Sequence, residues 1–209
     1  MRSVLTTLTA GLALSFSLAS SSIYASEEAS HGDAEAGKAK AAVCTACHMA
    51  DGNSVVPTFP KIAGQQPGYI TKQLADFKSG ARSDDTMKGM VAALSEQDML
   101  DLDAYYSSQN QTPGEISKDQ EESALAGQQI YRAGLAKFSV TACMACHGPA
   151  GKGVQPNYPR LSGQHATYIE KQLLAFKDGS RSDPMMNGIV FPLTAEQIKD
   201  LSIYISGLY

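Results

Sequence analysis

The sequence predicts an all-α protein made of two tandem copies of one small helical domain. Three observations carry that reading. The pentapeptide Cys44-Thr45-Ala46-Cys47-His48 returns 99 residues later as Cys143-Met144-Ala145-Cys146-His147. A constant offset of 99 aligns the two halves without a gap from Cys44 to Tyr105. Apolar residues recur at helical spacing, and strand signals are nearly absent. A period this long marks a duplicated domain rather than a short-repeat solenoid.

Residues 1–25 read as a secretory signal peptide. Arg2 is the only charge, an apolar stretch runs from Val4 to Leu18, and Ile23-Tyr24-Ala25 offers a cleavage site. An uncleaved membrane anchor is the alternative, but the apolar run is short and broken by Ser and Thr. Residues 26–106 form the first domain and residues 123–209 the second. The polar segment 107–122, with Pro113-Gly114 inside it, is the linker.

Each domain has three predicted helices. The first leads into the cysteines, around Ala34–Val43 and Ala124–Gly134. The second lies between Pro67 and Gly80, where Ile70, Leu74 and Phe77 fall at i, i+4 and i+7 on one stripe. The third opens at Ser95-x-x-Asp98, with Met99, Leu102 and Tyr106 on one face. Its copy opens at the capping box Thr194-x-x-Gln197, with Ile198, Leu201 and Ile205 inward. Nine extra residues precede Cys143 and read as a surface loop.

Charge is distributed unevenly. Residues 26–112 carry 7 Lys and Arg against 12 Asp and Glu, residues 113–122 carry 1 against 4, and residues 123–209 carry 8 against 5. The first half is therefore acidic and the second basic. Neither is basic enough for nucleic acid.

All four cysteines lie in the two Cys-x-x-Cys-His motifs. That pattern is the attachment signature of c-type haem. Cys44, Cys47, Cys143 and Cys146 would form thioethers to two covalent haems, and His48 and His147 would be the proximal iron ligands. A shared structural zinc site, a redox dithiol or local disulfides would use the cysteines but leave the repeated histidine unexplained. Two haems on one chain point to electron transfer.

A haem with one histidine ligand has a second axial position to fill. Methionine there gives a high-potential electron carrier, whereas an open position permits catalysis at iron. Met87 maps onto Met186, both 39 residues after their histidine, in a segment read as a loop. Met90 maps onto Ile189 and Met185 onto Thr86, which leaves these two as the runners-up. Met49 and Met144 sit beside or within the haem motif on the proximal side. His165 corresponds to Gln66 and reads as a surface or propionate-facing residue; His31 reads as solvated. The chain has no catalytic constellation beyond the haems.

Residues around the ligands set their orientation and the iron's potential. Pro60 and Pro159 each fall 12 residues after their histidine, so their carbonyls are candidate acceptors for the histidine Nδ1–H. Tyr69, Lys72 and Arg82 recur as Tyr168, Lys171 and Arg181 and are candidate donors to haem propionates.

Together with the haem motifs, three stretches carry a family resemblance. They are Phe59-Pro60-Lys61-Ile62-Ala63-Gly64-Gln65, Tyr158-Pro159-Arg160-Leu161-Ser162-Gly163-Gln164-His165 and Met87-Lys88-Gly89-Met90. With the twofold repeat, they resemble the cytochrome c4 family of periplasmic di-haem class I cytochromes c, over essentially the whole chain after residue 25. The resemblance implies two class I cytochrome c domains, each wrapped around one covalent haem, with propionates facing across the domain interface. It implies axial pairs His48–Met87 and His147–Met186, although adjacent Met185 and Met186 depart from the pattern. It implies redox partner proteins, namely an upstream quinol-oxidising complex and a membrane-bound terminal oxidase, and peripheral association with the membrane face. The alternative is a di-haem electron-accepting subunit of a flavocytochrome dehydrogenase, which shares the fold. A di-haem peroxidase would need a displaceable distal ligand, and methionine in both slots argues against it.

Overall fold

Residues 31–209 are described in the computed structural model of the chain. The signal-peptide expectation for residues 1–25 lies outside them. Among the described residues there are helices and three isolated bridges, and no sheet.

In the first domain α1 (Ala34–Lys40) continues into one 3-10 turn and then α2 (Thr45–His48), the turn that carries the first haem motif. Next come α3 (Tyr69–Ser79), α4 (Asp85–Val91) and α5 (Glu96–Ser107). The second domain repeats the order as α6 (Glu121–Ala133), α7 (Met144–His147), α8 (Ala166–Asp178), α9 (Pro184–Val190) and α10 (Ala195–Ser206). The predicted helices are all present. Helix α6 begins at Glu121, inside the segment read as linker, because a 3-10 turn at Lys118–Gln120 feeds straight into it.

The first and last helices of each domain pack together, α1 on α5 and α6 on α10. Both crossings need glycine. A Cβ on Gly37 would lie 2.0 Å from the Asp101 carbonyl oxygen, and one on Gly127 would lie 2.1 Å from that of Asp200. Any side chain would push the helices apart. Each domain has its own core. Ala41, Ile70, Leu102 and Tyr106 cluster in the first, and Tyr131, Val190, Leu193, Ile198, Leu201 and Ile205 in the second. A buried leucine such as Leu201 holds about 2–5 kcal/mol against truncation to alanine.

The caps expected from sequence form. Ser95 and Asp98 exchange bonds at the start of α5, and Thr194 and Gln197 do so at α10. The start of α3 is stabilised differently. The buried Asp103 carboxylate, on α5, accepts the backbone N–H groups of Gly68, Ile70 and Thr71. An anion there satisfies the orphan donors and the helix dipole together.

The nine-residue insertion is more than a surface loop. Leu135 and Val140 exchange two backbone hydrogen bonds around a short 3-10 turn, and Val140 is buried in the second core.

Candidate haem-binding sites

Each Cys-x-x-Cys-His motif folds as a single helical turn. The turn places two thiols beside a histidine that is nearly buried; His48 is 8% and His147 7% exposed. Backbone bonds from the His48 and His147 amides to the Cys44 and Cys143 carbonyls close these turns. None of the four thiols is in a disulfide, and among the described residues no three His, Cys, Asp or Glu side chains group as a metal cluster.

A loop from the following segment orients each imidazole. His48 Nδ1 donates to the Pro60 carbonyl at 2.9 Å, and His147 Nδ1 donates to the Pro159 carbonyl at 3.0 Å. The loops are pinned identically. Ile62 and Ala63 amides both bond the Gly52 carbonyl, and Leu161 and Ser162 amides both bond that of Gly151. Burial pushes both histidines below their ordinary pKa, against the opposing effect of the proline carbonyls, which keeps the rings neutral. A neutral ring that donates through Nδ1 presents Nε2 as a lone pair. Burial also raises the Cys44 thiol, and it pushes Cys143 up to about 11.

Met87 and Met186 sit in short helices, not in the loop expected. Both occupy the third position of α4 and α9, where their amides donate to the capping carboxylates of Asp84 and Asp183. An Asp three residues ahead is an N-cap signal and could have located these helices. Met186 is half-buried and packs on the second core, whereas its neighbour Met185 is 49% exposed. Met87 is half-buried and Met90 exposed.

The repeated polar residues mostly find protein partners. Lys72 pairs with Asp76 on its own helix, and Lys171 lies 3.8 Å from Asp84 of the other domain. Arg82 reaches across to Tyr168 and Gln172, and Arg181 reaches back to Tyr69 and Gln73. His165 is likewise an interface residue, its Nε2 donating to the Ser54 carbonyl at 2.8 Å. Its counterpart Gln66 bonds the Lys152 carbonyl from the opposite side. His165 was expected at the surface or facing a propionate because identity with Gln66 was missing; an imidazole and an amide supply the same N–H.

The residues present fit covalent haem. Each turn offers two free thiols and a neutral, oriented imidazole. In addition, Arg160 keeps a buried Nε–H with no partner, a donor suited to an anionic carboxylate.

A family model for cytochrome c matches residues 34–110 and again 124–208. Cytochrome c4 of Thiocapsa roseopersicina is 46% identical over 183 residues, covering 85% of this chain and 93% of its own. The crystal structure of reduced recombinant cytochrome c4 from Pseudomonas stutzeri superposes with a TM-score of 0.81 at 43% identity, covering 85% of this chain and all of that one. The chain belongs to the cytochrome c4 family. A more distant relative is 35% identical, over 80% of this chain and 79% of its own, and is named a thiosulfate dehydrogenase electron acceptor, from Thiomonas intermedia.

Membership makes this a di-haem electron-transfer protein with two covalently bound haem c groups, built as tandem cytochrome c domains. Among the described residues no helix is long and apolar enough to cross a membrane.

Proposed function

We propose that the chain carries electrons in the periplasm from respiratory donors, such as a quinol-oxidising complex, to a membrane-bound terminal oxidase. It would do so through iron held by His48 with Met87 and by His147 with Met186, in domains spanning 26–106 and 123–209. Haem supplies one-electron chemistry at iron between the ferric and ferrous states. The chain's own residues set the rest. His48 and His147 would bind iron as neutral rings, oriented by their bonds to the Pro60 and Pro159 carbonyls. Met87 and Met186 occupy equivalent helical positions in the two domains and would supply the second iron ligand, in which case neither site would be open for turnover.

The observation that carries this reading is the paired environment. Both histidines are buried and carbonyl-held, and the matching methionines stand at the same helical position. The test is the absorption spectrum of the oxidised protein. The weak charge-transfer band of ferric iron bonded to thioether sulfur is expected from both haems. High-spin iron in either domain, or strong peroxidase activity in the native protein, would overturn it.

A second reading has its own support, the relative named as an electron acceptor of thiosulfate dehydrogenase. The chain would then accept electrons from a dehydrogenase, flavin-dependent or thiosulfate-oxidising. Stopped-flow reduction by such an enzyme, compared with reduction by a quinol-oxidising complex, separates the two.

A further inference from the structure

We propose that Gln65 and Gln164 are positioning residues for the iron of the opposite domain. Each holds the peptide unit that in turn holds the other domain's proximal histidine. The proposal rests on the reading of His48 and His147 as iron ligands.

The peptide between Pro60 and Lys61 is gripped on both edges. Its carbonyl accepts His48 Nδ1–H at 2.9 Å, and its N–H donates to Gln164 Oε1 at 2.9 Å. The mirror arrangement is complete. The Pro159–Arg160 peptide accepts His147 Nδ1–H at 3.0 Å and donates to Gln65 Oε1 at 2.7 Å. Each glutamine closes a second bond to the same residue, Gln164 Nε2 to the Lys61 carbonyl at 2.7 Å and Gln65 Nε2 to the Arg160 carbonyl at 3.1 Å. Gln164 is 9% exposed and Lys61 9%, so one of these clasps is shielded from water. Gln65 and Gln164 are themselves related by the 99-residue repeat.

Hydrogen bonds in series reinforce one another. A peptide whose N–H is engaged by an acceptor has a more polarised carbonyl, which accepts more strongly. A stronger acceptor at Nδ1 makes the imidazole a more basic ligand. A more basic ligand favours the ferric state and lowers the potential. Two relays therefore cross the domain boundary, Gln164 to His48 and Gln65 to His147. A clasp that served only to hold the domains together would carry no such directed effect.

The test uses the intact di-haem protein. In the fully reduced, diamagnetic form, scalar coupling through the hydrogen bond is expected between the Lys61 amide nitrogen and the Gln164 side-chain carbonyl carbon. The same is expected for Arg160 and Gln65; absence of both couplings overturns the proposal. Gln164→Leu is expected to raise the potential of the His48 haem by about 30–60 mV, a roughly three- to tenfold change at 59 mV per decade. It should also shift that histidine's Nδ1–H resonance upfield. Gln65→Leu is expected to do the same to the His147 haem. Shifts confined to the substituted domain, or equal in both haems, show a merely structural role and overturn it. A control separates ligation from the relay. If His48→Ala left the first haem's spectrum unchanged, the ligand reading would fail. If ligation is intact and the Leu variants leave the opposite potentials unmoved, the relay alone fails.

Discussion

Arg82 and Arg181 pair their backbones antiparallel where the two domains meet. Each guanidinium then divides between domains. Arg82 bonds Gln73 of its own domain at 2.7 Å and, across the boundary, Tyr168 at 2.8 Å and Gln172 at 2.7 Å. Arg181 bonds Gln172 at 2.7 Å and, across the boundary, Tyr69 at 3.1 Å and Gln73 at 2.9 Å. Each arginine also lies over a phenylalanine of its own domain, Phe77 or Phe176. The six bonds follow the repeat across an approximate twofold relation.

Arg82→Ala is expected to cost about 2 kcal/mol of stability, since bonds to charged groups are worth roughly 1.5–3 kcal/mol and do not add fully. Arg82→Lys should not rescue it, because an ammonium lacks the planar fork that reaches three acceptors. Urea denaturation of the holoprotein reads both; a lysine variant as stable as the parent contradicts the argument.

Met186→Ala should open only the second haem and Met87→Ala only the first, each with a lowered potential because thioether ligation favours ferrous iron. Met185→Ala should change neither. Loss of the sulfur-to-iron band in Met185→Ala alone would assign the ligand to the exposed neighbour instead.

The second haem should have the higher potential. Its domain is net positive and the first net negative, on one fold with the same proposed ligand pair, and a positive surrounding stabilises the reduced state. Screening over about 8 Å at physiological salt keeps the difference modest, and it should shrink as salt rises. A redox titration assigned by the two methionine variants decides the order; a first electron entering the His48 haem would show that local bonds outweigh net charge.

Met49 holds φ 64 and ψ 165, a region that suits glycine. The equivalent residue is Gly148, with φ 82 and ψ 157. Met49→Gly should therefore stabilise the first domain by about 1 kcal/mol, the relief of strain exceeding glycine's entropic cost. Thermal unfolding of the parent and variant checks the sign.

Stability should fall on acidification in two stages. Burial lowers the His165 pKa, aided by Lys61 and opposed by its bond to Ser54. The unfolded state then takes up its proton first, so stability present above about pH 6.5 declines as pH falls below it. His165→Gln, which copies Gln66, should flatten that stage. The Asp33 amide, then Gln97 and Lys40, hold Asp101 below the usual carboxylate range. Its contribution, present above about pH 4, is lost only at lower pH, and Asp101→Asn should flatten that second stage. Urea midpoints from pH 7.5 to 3 test both; unchanged upper-stage behaviour in His165→Gln would remove the histidine from the account.

Much of the site is legible because its parts are held at fixed chain spacing. Two thiols and a histidine within five residues can share one helical turn wherever that turn packs. A proline 12 residues on, repeated in both halves, marked the acceptor for each imidazole, and the bonds form at 2.9 and 3.0 Å. Where the repeat is broken, the same reasoning loses its grip. Asp103 has Ser202 as its counterpart, so comparison of the halves does not single it out. Its role is to bond three amides of a helix more than thirty residues away. His165 hid for the opposite reason, since its counterpart does the same work with a different functional group.

The sequence by itself determined that there are two haem-attachment turns, that each belongs to a helical cytochrome c domain, and that the domains differ in charge. Those properties follow from covalent spacing, periodicity and composition, which act within a few residues or sum over many. Only the tertiary structure decided what faces what across the boundary: Gln65 on Arg160, Gln164 on Lys61, and Arg82 and Arg181 on the other domain's tyrosine and glutamine. These residues recur in both halves, and their recurrence alone is equally compatible with bonds inside each domain. The docking of two near-identical surfaces places each donor within reach of the opposite acceptor, so the repeat becomes a set of reciprocal bonds between domains.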